Sequence, residues 1–334
     1  MRRRGLGRTG VEATELSFGA AAIGNLFTAV TDDDARAAVD AAWDSGIRAF
    51  DTAPHYGLGL SERRLGAALR ARPRSEYVVS TKVGRLLDPV PDPVGDDLAN
   101  GFAVPANSRR RWDFSAAGVT RSLEDSLVRL GLDRADIVYL HDPDDHLDQA
   151  LREALPALRL LRDEGVVGAI GAGMNHAEPL ARLVREGDID VVLLAGQYTL
   201  LDQRGLDDLL PTAENHGVSV VIGGVFNSGL LADPRPGATF DYKPVSPDIL
   251  DRALRIQAVS HEHDTPVRAA ALRFPFGHPA VASVLIGART ADQVRDAVAM
   301  AARTMPDELW SDLRAAGLLH PRAPTPISEA MSTS

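Results

Sequence analysis

The sequence of 334 residues contains no cysteine, which excludes a disulfide framework and a cysteine nucleophile. It also lacks an apolar run of the roughly 20 residues that a transmembrane helix needs, so no membrane partner is expected. Basic residues number only 36 against 46 acidic residues, which gives a formal net charge of -10. Such a surface repels phosphate backbones, and we expect no nucleic acid partner. The basic N-terminal stretch has no apolar signal centre, so a cytoplasmic location is expected.

The glycine fingerprint of a Rossmann fold, G-x-G-x-x-G between a strand and a helix, is missing as well. Gly171 and Gly173 come closest, but Asn175 and His176 follow where the third glycine is needed. A Rossmann domain is therefore disfavoured, and any dinucleotide has to be bound in another way.

Short apolar runs alternate with amphipathic helical stretches along the whole chain. Most of the eight runs are too short and too apolar for a half-exposed sheet, which favours parallel strands covered by helices. The predicted strands are Glu15–Phe18, Ile47–Asp51, Tyr77–Thr81, Ile137–Leu140, Val167–Gly171, Val191–Ala195, Val218–Ile222 and Ala282–Ile286. Eight βα units fit a closed α/β barrel, the (β/α)8 TIM barrel, better than an open sheet. No linker divides them, so we predict one domain over residues 1–334.

Three segments interrupt the regular alternation. Residues 2–17 are predicted to form a β-hairpin before the first barrel strand. The segments Arg85–Ser115 and Leu231–Pro247 are long loops after strands three and seven. Both belong to the C-terminal face of the barrel, where the active sites of this fold form, so they are candidate lids or specificity loops.

Four residues with useful chemistry lie at or just after strand ends. Asp51 and Tyr56 follow the second strand, Lys82 follows the third, and His141 follows the fourth. The ends of barrel strands converge on one mouth, so these side chains are expected to meet although they are distant in sequence. Each residue alone is more often structural, but the same placement of all four favours a catalytic site.

The chain resembles the aldo-keto reductase family, which carries Asp, Tyr, Lys and His on four such segments. The family pattern F-D-T-A-x-x-Y-G-x-G-x-S-E matches residues 50–62 throughout, and the resemblance extends over nearly the whole chain. Further segments, including SFGAAAIGNLF, HDPDD and GGVFNSGLL, are most similar to the sugar-oxidising branch of aldose 1-dehydrogenases that act on L-fucose or D-threo-aldoses. A pyridoxal dehydrogenase is a neighbouring member of that branch.

The resemblance implies hydride transfer between a nicotinamide cofactor and a sugar lactol or carbonyl, with Tyr56 as the acid or base. A free tyrosine has a pKa near 10 and is a poor base at neutral pH. The charge of Lys82 favours the phenolate, and Asp51 keeps that lysine charged and oriented. His141 is expected to bind the substrate oxygen.

By the same resemblance, the cofactor lies across the barrel mouth. Asn175 and Gln197 are expected to bind the carboxamide of the nicotinamide. The loop expected to cover the pyrophosphate consists of Asn227, Ser228, Gly229 and Leu230. The residues expected to bind the adenosine half are Gly287, Ala288, Arg289, Thr290 and Gln293.

Several positions depart from the family pattern. Gly223 stands where many members have a tyrosine that stacks on the nicotinamide, and Met174 stands where a serine is common. Phe226 or Tyr198 is a candidate to supply an aromatic face instead.

Two further departures concern the choice of cofactor. NADP-specific members tend to carry Lys and Arg at the positions of Gly287 and Gln293, and without these cations a 2′-phosphate loses partners. Arg289 compensates only in part. The prediction for the cofactor is NAD or NADP, with a preference for NAD, and no metal.

Other functions stay open at the level of sequence. One alternative is a general NADPH-dependent reductase of aldehydes and ketones, and another is a regulatory barrel that binds cofactor without significant turnover. A metal-dependent barrel enzyme is disfavoured, because the histidines of the run His261–Asp264 point to different helix faces. Arg109–Arg111 is interpreted as a solvent-facing charge run, while Trp112 and Phe114 either stack on a sugar or anchor the loop. The particular sugar and the oligomeric state are left open.

Overall fold

The computed structural model describes residues 1–241 and 243–326. The strands of these residues, in chain order, are β1 Arg3–Gly5, β2 Glu12–Thr14, β3 Leu16–Gly19, β4 Ala49–Asp51, β5 Val78–Val83, β6 Arg85–Pro89, β7 Asp96–Asp97, β8 Phe102–Pro105, β9 Ser108–Trp112, β10 Ile137–His141, β11 Ala169–Met174, β12 Val191–Ala195, β13 Ser219–Gly223, β14 Thr239–Phe240, β15 Lys243–Pro244 and β16 Val281–Gly287. The α-helices are α1 Asp32–Asp44, α2 Leu60–Leu69, α3 Ala116–Leu130, α4 Leu147–Gln149, α5 Leu155–Asp163, α6 Ala177–Glu186, α7 Leu209–His216, α8 Pro247–Glu262, α9 Val267–Arg273, α10 Ala291–Ala301 and α11 Asp307–Ala315.

Eight parallel strands close into a barrel in the order β3, β4, β5, β10, β11, β12, β13 and β16. The pairing of Val284 with Leu16 and of Gly287 with Gly19 joins the last strand to the first. This arrangement confirms the predicted (β/α)8 barrel. β5 continues to Val83, two residues beyond the predicted end, so Lys82 lies within the strand rather than after it.

The barrel has an inner and an outer apolar layer. The strand faces that point outward pack against the helices, and this layer contains most of the buried apolar residues. The strand faces that point inward form a smaller cluster around Tyr139, Val191 and Leu193. Leu6 and Ala13 belong to the same inner cluster, so the hairpin of β1 and β2 closes the N-terminal end of the barrel. The mouth at the C-terminal end is thus left as the accessible one.

Helix ends follow the chemistry of the local sequence. Thr31 caps α1 by accepting a hydrogen bond from the amide of Asp34 at 3.0 Å, and aspartates fill the first turn, where the helix dipole favours negative charge. Gly131 ends α3 with a φ of 65°, a conformation that glycine adopts without strain. None of the helices in the described part of the chain has the length and apolarity that crossing a bilayer requires.

The two long loops contain small antiparallel sheets. In the first loop, β6 pairs with β9 and β7 pairs with β8; in the second, β14 pairs with β15. Phe114 is fully buried and packs on the ring of His146, so it anchors the first loop, whereas Trp112 remains 45% exposed. The prediction that Arg109–Arg111 all face solvent is wrong for Arg110, which is buried because alternate residues of β9 point to opposite faces.

Candidate active site

A cavity of about 510 Å³ opens at the C-terminal end of the barrel. Its walls come from the ends of β4, β5, β10, β11 and β12 and from the first long loop. The polar residues among those that line it are His55, Tyr56, Lys82, Asn100, His141, Asp142 and Asn175. The structure therefore brings Tyr56, Lys82 and His141 to one cavity, as expected from their positions after strands.

A buried ion pair lies at the base of this cavity. The ammonium of Lys82 is 2.6 Å from Oδ2 of Asp51, and the two side chains are only 2% and 4% exposed. Lys82 also donates to the carbonyl of Thr52 at 3.0 Å, while Ser80 donates to Oδ1 of Asp51 at 2.8 Å. Burial by itself lowers the pKa of Lys82, but the negative charge of Asp51 and the contact with Tyr56 outweigh it and raise that pKa. Lys82 is thus held charged.

Tyr56 lies against this ion pair. The Lys82 ammonium is 4.7 Å from the centre of the Tyr56 ring. Burial raises the pKa of Tyr56, and the opposing effect of the Lys82 charge does not fully offset it. Without other charges in the cavity, Tyr56 therefore carries its proton at neutral pH. The expected lowering by Lys82 is present but is smaller than the effect of burial.

His141 completes the cluster from the end of β10. Its ring centre is 5.7 Å from that of Tyr56. Burial lowers the pKa of His141 well below its ordinary range, and the cations Arg85 and Lys82 lower it further, so the ring is neutral. Its buried Nδ1 has no hydrogen-bond partner among the described residues. A neutral imidazole beside a tyrosine is suited to binding a substrate oxygen.

Asp142 and Arg85 form the rim next to His141. Arg85 donates to Oδ2 of Asp142 at 2.5 Å, and Asp142 adopts a left-handed φ of 43°. Burial raises the pKa of Asp142, while Arg85 acts in the opposite direction. Neither residue was predicted from the sequence, although Asp142 directly follows His141 at a strand end.

His55, a further residue of the cavity wall, was not predicted from the sequence either. Its Nδ1 is 2.5 Å from Nε of Arg110, which is itself paired with Asp97. Burial, with the nearby cations, lowers the pKa of His55 to about 2. Its position next to Tyr56 in sequence was the available signal, but the contact with Arg110 joins segments 55 residues apart.

The residues expected to bind the carboxamide lie on the other side of the mouth. Asn175 follows β11, is exposed and lines the cavity. Gln197 follows β12, and its side-chain oxygen accepts from the amide of Ala177 at 3.0 Å, which holds the start of α6.

The loop from Asn227 to Leu230 has an unusual backbone. Asn227, Ser228 and Gly229 all have positive φ, at 45°, 58° and 91°. The Asn227 side chain is buried and bonds to the carbonyl of Gly196 and to the hydroxyl of Thr199, while Leu230 is fully buried. The side chains of Asn227 and Leu230 thus hold the loop, and the loop presents backbone at Gly229, where a Cβ would meet nothing within 4 Å.

The segment expected to bind adenosine joins β16 to α10. Gly287 is exposed, Ala288 is buried, and Thr290 caps α10 by accepting from the amide of Gln293. The Gln293 side chain accepts from the amide of Arg289 at 2.8 Å. Arg289 donates to the carbonyl of Leu26, a residue of the cavity wall, at 3.0 Å.

The position of Gly223 leaves room for a side chain, because a Cβ there would make only ordinary contacts with Leu193 and Ala195. Tyr198 does not supply the missing aromatic face: it is fully buried and its ring lies 5.2 Å from that of Phe274 in the outer core. Phe226 is half-buried against the same core, and Met174 is buried and lines the cavity.

The histidines of the run 261–264 are not gathered into a cluster. His263 pairs with Asp312 at 2.9 Å, while His261 is exposed. Within residues 1–241 and 243–326, no group of three side chains of the kind that bind metals comes together.

A (β/α)8 barrel with a buried aspartate–lysine pair beside a half-buried tyrosine at its mouth defines a barrel protein equipped for acid–base chemistry. The chain belongs to the aldo/keto reductase family, whose sequence model matches residues 15–317. It is an enzyme of that family, and its cofactor is NAD(H) or NADP(H), which aldo-keto reductases use.

Among the relatives, the chain is 48% identical to a D-threo-aldose 1-dehydrogenase from Pseudomonas sp, over 95% of this chain and 97% of that protein. It is 41% identical to a pyridoxal 4-dehydrogenase from Microbacterium luteolum, over 95% and 98% of the two chains. A solved structure of an aldo-keto reductase from Bacillus halodurans in its holo form superposes with a TM-score of 0.75, at 27% identity, and covers 96% of this chain and 97% of that one.

Proposed function

We propose that this enzyme oxidises an aldose at C1, in its lactol form, to the lactone. The observation that carries the proposal is the buried Asp51–Lys82 pair against Tyr56 in a cavity of about 510 Å³. The 48% identity to a D-threo-aldose 1-dehydrogenase supports an aldose as the substrate class. A bound nicotinamide supplies the acceptor for the hydride that leaves C1.

The residues of this chain handle the proton. Tyr56 first loses its own proton to solvent, and Lys82 stabilises the resulting phenolate. The phenolate then takes the proton of the anomeric hydroxyl as the carbonyl of the lactone forms. Asp51 keeps Lys82 charged at 2.6 Å. His141, which is neutral, binds the same substrate oxygen and fixes its distance from Tyr56.

The strand ends on one side of the mouth support a place for the dinucleotide. Asn175 and the segments around Gln197, Gly229 and Arg289 follow β11, β12, β13 and β16 on one side of the cavity. At Gly229 and Gly287 a Cβ would meet nothing within 4 Å, so backbone is open to a close ligand there. The start of α10 offers amide groups to an anion. We assign the cofactor to this side.

We propose a preference for NAD over NADP. Arg289 is already engaged with the Leu26 carbonyl, and Arg295 is paired with Asp292 at 2.9 Å. Asp292 places an exposed carboxylate in the first turn of α10, which repels a 2′-phosphate. A cytoplasmic location and a single domain over residues 1–334 stay predictions.

A second candidate is reduction of aldehydes and ketones with NADPH, and one observation favours it. Burial raises the pKa of Tyr56, and a protonated tyrosine is the form that donates to a carbonyl oxygen. The cofactor preference and the substrate class separate this candidate from the aldose dehydrogenase.

Absorbance of the reduced nicotinamide provides the test. Purified enzyme is given NAD+ or NADP+ with L-fucose, D-arabinose, L-galactose, pyridoxal and simple alcohols, and NADH or NADPH with aldehydes. Rapid reduction of NAD+ by one aldose is the expected result. Consumption of NADPH with aldehydes alone favours the reductase, and cofactor binding without turnover of any compound contradicts both.

A further inference from the structure

A buried ion pair connects the first long loop to the cavity wall. Arg110 of β9 donates to both carboxylate oxygens of Asp97, at 2.7 and 2.6 Å, and the two side chains are only 5% and 6% exposed. Asn100 adds a hydrogen bond to Asp97 at 2.8 Å. A bidentate pair of this kind fixes the plane of the guanidinium.

The other edge of the Arg110 guanidinium, formed by Nε and Nη2, donates hydrogen bonds to His55. Nε of Arg110 is 2.5 Å from Nδ1 of His55, and Nη2 donates to the His55 carbonyl at 2.9 Å. A guanidinium has only donors, so Nδ1 of His55 must accept and carries no proton. The proton of the neutral ring is therefore on Nε2.

The ring of His55 lies between the loop and the catalytic cluster. Its centre is 5.2 Å from that of Phe102 in β8, 5.5 Å from that of His141 and 6.1 Å from that of Tyr56. His55 lines the cavity, and its Nε2 has no hydrogen bond to another described residue. An N–H group of fixed direction thus stands beside the two groups that bind the reacting oxygen.

We propose that His55 donates this hydrogen bond to a substrate oxygen on the carbon next to the reacting one, and that Arg110 and Asp97 are its positioning residues. The inference deepens the proposed function and rests on it for the position of the reacting carbon. It names the substrate class as lactols and carbonyl compounds that carry a hydroxyl on the adjacent carbon.

The role of His55 is that of a neutral donor at every working pH. Burial and the charges of Arg85, Arg110 and Lys82 lower the pKa of His55 to about 2, so the ring does not become a cation in the cavity. A substrate without an oxygen at that place leaves a partly buried N–H unpaired, which costs binding energy.

Kinetic discrimination between matched substrates tests the role of His55. Glyceraldehyde and propanal differ by hydroxyl groups that include one next to the carbonyl, and an aldose and its 2-deoxy analogue form the matching pair for oxidation. We expect His55→Ala to lower the ratio of kcat/KM for each pair by about tenfold. His55→Gln keeps an N–H donor, so its ratio of kcat/KM within each pair should lie between those of His55→Ala and the unaltered enzyme. An unchanged ratio in His55→Ala would overturn the proposal.

The positioning role has a readout that does not need turnover. Spectra of protein with 15N-labelled histidine report which ring nitrogen carries the proton, and assignment by His55→Gln should identify a neutral ring protonated on Nε2. The double variant Asp97→Asn with Arg110→Gln removes both charges and so avoids an unpaired buried carboxylate. In this variant His55 should populate both tautomers, and the ratio of kcat/KM within each substrate pair should fall. Arg109→Gln, an exposed neighbour on β9, is the matched control.

The outcomes keep the two proposals separate. If no aldose is oxidised, the proposed function fails, while the glyceraldehyde to propanal ratio and the spectra still test His55. A proton on Nδ1 of His55 in the unaltered enzyme would overturn the inference whatever the enzyme oxidises.

Discussion

The two sides of the barrel mouth differ in what they present: buried, paired side chains on one side and partly exposed backbone on the other. On the side of β4, β5 and β10, buried side chains such as Asp51 and Lys82 are paired in a dry environment. On the side of β11, β12, β13 and β16, the loop after β13 has backbone with positive φ, which is half-buried at Ser228 and exposed at Gly229. We call the first the acid-base side and the second the cofactor side. The difference teaches that the proposed proton transfer relies on charges held away from water, whereas the proposed cofactor binding relies on space and on backbone donors.

The largest effect is expected on the acid-base side, from Tyr56→Phe. Loss of the group that transfers the proton should lower kcat by about 10³-fold or more, within the range of general acid–base catalysis. Cofactor binding, measured by fluorescence titration, and the circular dichroism spectrum should stay near those of the unaltered enzyme. A variant that keeps near-normal turnover would show that Tyr56 is not the acid or base.

The response to pH should come from the acid-base side as well. Because burial raises the pKa of Tyr56 above its ordinary value of 10.0, the phenolate is a minor form at neutral pH. Its fraction grows about tenfold per pH unit, so kcat/KM for oxidation should rise with a slope of about one from neutral pH upward. Reduction, which uses the protonated form, should be flat over the same range. A flat profile for oxidation would contradict Tyr56 as the base.

Lys82→Met separates stability from catalysis on the same side. The change leaves the Asp51 carboxylate buried without its partner, which should lower the free energy of unfolding by about 3–5 kcal/mol. Adding Asp51→Asn should recover most of that loss in urea unfolding, but turnover should remain lower by about 10²-fold, because no cation acts on Tyr56. Recovery of turnover in the double variant would refute the role of Lys82.

On the cofactor side, Gly287→Lys combined with Gln293→Arg should raise kcat/KM for NADP+ by about tenfold, because each cation can form a charge-assisted hydrogen bond with the 2′-phosphate. The kcat/KM for NAD+ and the pH dependence of oxidation should change little. Gln257→Arg, which adds a positive charge at an exposed position of α8, is the control. No gain with NADP+ would place the adenosine half on another segment.

The smallest effect is expected from Gly229→Ala. Space is available for the methyl group, but the φ of 91° strains any residue with a Cβ, at a cost of about 1–2 kcal/mol. The KM for the cofactor should rise a few-fold while kcat stays the same. Gly287→Ala, which also has open space but no left-handed φ, is the matched control. Equal effects of the two variants would show that backbone conformation at Gly229 is unimportant.

The barrel and the acid-base side were accessible from sequence for one physical reason. Parallel strands of a closed barrel all end at the same face, so a residue that follows a strand is placed by local order alone. No knowledge of distant contacts was needed to predict that the mouth contains Asp51, Tyr56, Lys82 and His141. β5 ends two residues later than predicted, but the predicted position of Lys82 at the mouth is unaffected, because Lys82 still lies at the mouth end of the strand.

The contents of the long loops were not accessible in the same way. Three adjacent arginines suggested a solvated run, but the alternation of β9 turns Arg110 inward to Asp97 and His55. That outcome depends on strand pairing between β6 and β9 and on a contact with the loop after β4. Tyr198 was a candidate for the mouth, and packing against Phe274 buries it in the outer core instead.

The sequence by itself determined the eight-stranded barrel, the family and the four side chains of the acid-base side, because hydrophobic periodicity and strand ends are local properties. Only the tertiary structure decided the burial that raises the pKa of Tyr56, the contact of His55 with Arg110 and the exposed backbone at Gly229. These depend on burial and on the directions of hydrogen bonds between segments that are far apart in the chain, and neither quantity exists until the barrel has closed.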